Sequence, residues 1–171
     1  MLHAQALDGY VYEPTRIKPN TIYNYIKSNS DGSSPAKISI YLPSYERVEV
    51  LKIEAHGHDA VFISARINWQ TFSLDSLRSW RITPDGVRHP MAELQVDADT
   101  INLVINEQRE SIPIQFTPWH IYNFDLISLN LMFRHRINPT ASFNIGIYQP
   151  TWNDDGQRLE FFGIATITWI E

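Results

Sequence analysis

Short runs that alternate apolar and polar residues predict an all-β, mainly antiparallel fold. The form expected is a single curved meander sheet or half-open barrel, with one helix near residues 125–136. Three observations lead there. Ile38, Ile40 and Leu42 fall on one face of a run, as do Ile101, Leu103 and Ile105, and then Ile112, Ile114 and Phe116. Turn formers such as Ser30-Asp31-Gly32-Ser33-Ser34-Pro35 and Thr83-Pro84-Asp85-Gly86 separate the runs. One stretch, Trp119 to Pro139, departs from this pattern: Leu, Asn, Met and Arg replace the β-branched residues used elsewhere.

Residues 1–20 contain Pro14 and Pro19 without periodicity and read as an N-terminal arm; residues 21–171 read as a single antiparallel β domain. Thr21 to Asn29 is the first strand, and Lys37 to Leu42 the second, stopped by Pro43. In the next hairpin Leu51, Ile53 and Ala55 share a face, and Val61, Ile63, Ala65 and Ile67 share another. A three-residue loop, Gly57-His58-Asp59, pairs His56 with Ala60 and puts both rows on one side. A slip of one residue would separate them, so this register is expected.

Leu77 to Ile82 and Val87 to Val96 form a second hairpin through a type I turn at Pro84-Asp85, with an edge or a bulge at Pro90, which has no N–H for a ladder. Asn106 to Glu110 is a polar loop. The late stretch reads two ways: as a strand, Ile127, Leu129, Leu131 and Phe133 share one face; as a helix, the reading chosen, Asp125 suits an N-cap, and Arg134 and Arg136 suit the last turn, with Pro139 just beyond. Phe143 to Tyr148 and Phe161 to Ile170 close the chain. The last carries Phe161, Ala165, Ile167 and Trp169 on one face and Phe162, Ile164 and Ile170 on the other, which predicts a strand covered on both sides.

The chain has 171 residues, 43% of them apolar and 19% charged: one domain with ample material for a core. A net charge of -5 argues against a nucleic-acid partner, because phosphate recognition calls for a basic surface. With no cysteine there is neither a disulfide nor thiolate chemistry. No apolar run reaches the length of a transmembrane segment. Ala4-Gln5-Ala6 has the small-residue pattern of a signal-peptidase site, with too little before it to be a signal peptide. The expected compartment is the periplasm or the exterior if a signal peptide has been removed, and the cytoplasm otherwise.

A meander with one late helix, Asp125-Leu126-Ile127-Ser128-Leu129-Asn130-Leu131-Met132-Phe133-Arg134, followed by two strands, resembles the half-barrel β domains related to bacterial lipoprotein carriers and some uncharacterised periplasmic domains. The resemblance implies a curved sheet that holds an apolar molecule on its concave side under a helical lid, and no catalytic residues.

Three constellations carry chemical potential. Glu54, His56 and His58 alternate, and H-x-H on a strand can offer two imidazoles to one metal. The segment that would supply a later carboxylate reads Ala60-Val61-Phe62-Ile63, so the ligand set is incomplete and a solvated hairpin tip competes with it. Trp119, His120 and Tyr122 near Asp125 place a base beside a phenol and a carboxylate, or simply form an aromatic turn against the sheet. Arg134-His135-Arg136 would suit an anion such as a lipid headgroup.

The expected function is a non-enzymatic β domain that binds an apolar or lipid-like small molecule in the concave sheet, through Trp119, His120, Tyr122, Arg134, Arg136 and Trp169. No cofactor is expected. One alternative is a structural or interaction module that buries its two-faced strand in a homo-oligomer or partner. Another is a metal-dependent enzyme that uses His56, His58 and Glu54.

Overall fold

The structure, a computed structural model, describes residues 18–54, 59–68, 71–105, 107–122, 138, 140–153 and 156–168. It is all-β, and no helix occurs among the described residues. Eight strands run in chain order across one antiparallel sheet: β1 (Thr21–Lys27), β2 (Ala36–Leu42), β3 (Arg47–Glu54), β4 (Ala60–Asn68), β5 (Ser73–Ile82), β6 (Arg88–Asp97), β7 (Thr100–Ile105) and β8 (Gln108–Pro113). Among the described residues the sheet does not close, and β1 and β8 are its edges. A second sheet of three strands follows, in the order β11 (Gly156–Ile167), β10 (Phe143–Asn153), β9 (Trp119–Ile121), and β9 runs parallel to β10. The helix expected over 125–136 lies outside the described residues.

Period-two alternation decides which face is the core. Ile38, Ile40 and Leu42 are buried on β2, Val48 and Val50 on β3, Ile63, Ala65 and Ile67 on β4, and Ile101, Leu103 and Ile105 on β7. They form one cluster with Phe143, Ile145, Ile147, Trp119 and Ile121 of the small sheet, which therefore covers the inner face of the large one. Removing each such aliphatic side chain from water is worth about 1.5–3 kcal/mol. Large rings fill the junction. Trp119 and Tyr148 meet edge-on at 5.4 Å, and Phe72 meets Phe143 at 5.6 Å.

The β3–β4 register differs from the expected one. Ile53 pairs with Ala60, Leu51 with Phe62, and Val50 with Ile63. The reason lies earlier in β3: Val48 and Val50 are the core row, 1% and 2% exposed, and they select Ala65 and Ile63 as partners. Leu51 and Ile53 are left on the outer face, so this strand is apolar on both sides and its second half misleads a reading by periodicity.

Three further differences are local. The polar loop after β7 is shorter than expected, because Ile105 pairs directly with Gln108. Strand β10 runs through Pro150 to Asn153 and β11 starts at Gly156, both longer than the apolar runs suggest. The Gly146 N–H and the Tyr148 carbonyl point toward β9, so Pro150, two residues on, turns its missing N–H to that same side, past the end of β9. Lastly, β11 is not covered on both sides: Phe162 is 75% and Ile164 55% exposed, while Phe161, Ala165 and Ile167 pack inward. The small sheet has the core on one side only along this strand.

The expected bulge at Pro90 is present. Trp80 pairs with Pro90 and Ser79 with Ala92, so Met91 is the extra residue on β6. The preceding turn closes as expected, with Gly86 N–H donating to the Thr83 carbonyl at 2.8 Å and Gly86 at φ +83°.

Candidate functional site

The residues singled out by sequence do not converge among the described residues. Trp119 and His120 are buried, 1% and 0% exposed, on the short strand β9. His120 Nε2 donates to the Phe72 carbonyl at 3.0 Å, and its ring packs on the Phe72 ring at 4.9 Å. This bond steadies a turn in which Phe72, fully buried, adopts φ +52°, a conformation unfavourable for a bulky residue. Tyr122, just past β9, is exposed. Arg134, Arg136 and Trp169 lie outside the described residues, as do His56 and His58, and Glu54 is known only as the last residue of β3. No group of three or more His, Asp or Glu residues able to hold a metal exists among the described residues.

A different site assembles on the outer face of the large sheet. Along β5, Leu77 and Ser79 face the core, so Arg78 and Trp80 face outward. Across the strands the outward row reads Ser39, Leu51, Phe62, Trp80, Pro90, each paired with the next. The neighbouring row reads Ser64, Arg78, Glu93, Val104, Arg109. The bulge at Met91 spreads the rows where they cross β6, and a groove of about 770 Å³ opens there. Its apolar wall is Trp80, Pro90, Met91 and Val104; Arg78, Glu93 and Glu107 bring the charge.

Trp80 is held from behind. Phe62 lies across from it with ring centroids 5.6 Å apart, and Arg88 sits 5.4 Å over the Phe62 ring on the same face. Arg78 donates from Nε and Nη2 to one oxygen of Glu93, Oε1, at 2.9 and 2.6 Å. Both partners are more than half exposed, so the pair adds well under about 1 kcal/mol to stability. Its effect is on geometry: it sets a guanidinium and a carboxylate side by side near the indole. Nη1 of Arg78 and Oε2 of Glu93 take no part in that pair.

Reading the sequence alone missed this groove. Pro90 signalled a bulge, but the alignment of Trp80 with Phe62 and Pro90 depends on two registers that a single strand does not reveal. The wall and rim can shelter an uncharged or amphipathic molecule, and no group of His, Asp or Glu able to hold a metal stands among the described residues. No family model, curated protein or solved structure matches the chain.

Proposed function

We propose that this chain is a non-enzymatic binding domain whose recognition surface is the outer groove beside Trp80. One observation carries the reading: the inner face of the large sheet is occupied by the protein's own side chains, whereas an indole, a proline and a methionine border an open groove on the outer face. The apolar-ligand reading thus keeps its chemistry and changes its place. The resemblance to carrier half-barrels would seat a ligand on the concave side, where Ile40, Leu42, Ile101 and Trp119 already exclude water.

The test uses the uncharged environment-sensitive dye Nile red with the full chain. Saturable fluorescence enhancement is expected, and Trp80→Ala or Met91→Glu removes it while the thermal melt stays cooperative. Absence of saturable binding, or equal binding by both variants, overturns the reading.

A second reading has its own observation. Phe162 and Ile164 stand side by side on the solvent face of β11 and are more than half exposed, which supports an interaction module that buries this strand against a second copy. Sedimentation showing a monomer at all concentrations would remove it.

A further inference from the structure

Resting on the groove reading above, we infer that the ligand class is a neutral, hydroxyl-rich ring, a short oligosaccharide in particular. Arg78 and Glu93 neutralise one another across β5 and β6, and Glu107 adds a further carboxylate at the groove. Arg109, opposite Val104 in the same outward row, offsets Glu107, so no net charge is left there to attract an anionic ligand such as a fatty-acid carboxylate. A cationic ligand must compete with Arg78 for Glu93. A neutral ligand needs no such attraction and faces no such competition.

Hydrogen bonding sharpens the choice. A guanidinium N–H at Nη1 and a carboxylate oxygen at Oε2 are left by the ion pair, a donor and an acceptor side by side. Adjacent hydroxyls of a sugar are each both donor and acceptor, so two neighbours satisfy both groups at once. Glu107 accepts a further O–H. A purely apolar ligand would leave these groups to water and use only the wall.

Shape supplies the third argument. Trp80 and Pro90 are paired neighbours on the outer face and present flat, weakly polar surface, which suits the C–H face of a pyranose. A volume of about 770 Å³ exceeds one ring and accommodates two or three. The groove is open, so a chain end or an internal segment of a glycan can lie across it.

The experiment is a 1H–15N NMR titration of the full-length chain with three neutral trisaccharides, cellotriose, maltotriose and chitotriose, and with sodium decanoate. The Trp80 indole signal is assigned from its disappearance in Trp80→Phe. At least one trisaccharide is expected to shift that signal saturably by about 10 mM, enough to occupy a site with a Kd near 1 mM. Glu93→Gln, which keeps the shape and removes the charge, is expected to weaken binding by at least about tenfold. Trp80→Ala should abolish binding as read from the backbone amide signals of the groove residues, with dispersed spectra showing that both variants are folded. Dye binding in the groove with no trisaccharide response would overturn the sugar inference and leave the binding domain standing. Loss of both responses overturns both. Decanoate binding more tightly than every sugar also sinks the inference.

Discussion

Tyr148 links the two sheets, and replacing it with Phe isolates a single polar anchor. The ring is fully buried between Trp119 at 5.4 Å and Phe161 at 5.2 Å, and both contacts survive the substitution. What is lost is the hydroxyl, which donates to the Pro113 carbonyl at 3.1 Å and accepts from the Gln115 N–H at 2.9 Å. Two peptide groups left unpaired in a dry interior would cost about 2–6 kcal/mol in total. Pro113 and Gln115 are exposed residues, so water replaces much of the loss, and about 1.5 kcal/mol is the expected cost. For a chain of this size that lowers Tm by roughly 3–6 °C.

The pH dependence gives an independent check. Burial pushes the Tyr148 phenol above the usual tyrosine range, opposed in part by the Gln115 N–H. The folded protein therefore holds this proton more tightly than the unfolded chain does. Its contribution is complete below about pH 10 and is lost as pH rises from there through the folded value. Wild type should lose stability in that window more steeply than Tyr148→Phe, and the gap between them should narrow. Urea melts of both proteins at neutral pH and through the alkaline limb test this. An unchanged midpoint at neutral pH, or a gap that widens with alkalinity, would refute the assignment of Tyr148 as the anchor.

Three other outcomes follow from single atoms. The Ser79 hydroxyl is buried without a hydrogen-bond partner, so Ser79→Ala should raise stability by about 1 kcal/mol, read as a higher urea midpoint. A Cβ on Gly146 would lie 3.1 Å from Phe116 Cβ and 3.4 Å from its carbonyl oxygen; since backbone cannot easily yield, Gly146→Ala should destabilise by about 1–3 kcal/mol in the same assay. Phe162→Lys, at a side chain 75% exposed, should change Tm by less than about 2 °C and reduce any self-association seen by sedimentation.

Much of the meander was legible because each short strand reports its own inner face. Ile38, Ile40 and Leu42, like Ile101, Leu103 and Ile105, are buried as their alternation requires. Pro90 announced the bulge through its missing N–H. Reading failed where a strand is apolar on both sides: β3 offers Val48 and Val50 against Leu51 and Ile53, and only packing on Ile63 and Ala65 chooses between them. It failed also at His120, whose polar ring suggested chemistry but whose Nε2 is spent on the Phe72 carbonyl in the core.

By itself the sequence determined an all-β chain of short antiparallel strands, because alternation and turn formers are local properties. Tertiary structure decided the rest: that Trp119 joins the core, that β9 runs parallel to β10, and that Trp80, Arg78 and Glu93 meet beside a groove. The physical reason is that these juxtapositions depend on register between strands, and register is set by the summed burial of whole faces rather than by any one segment.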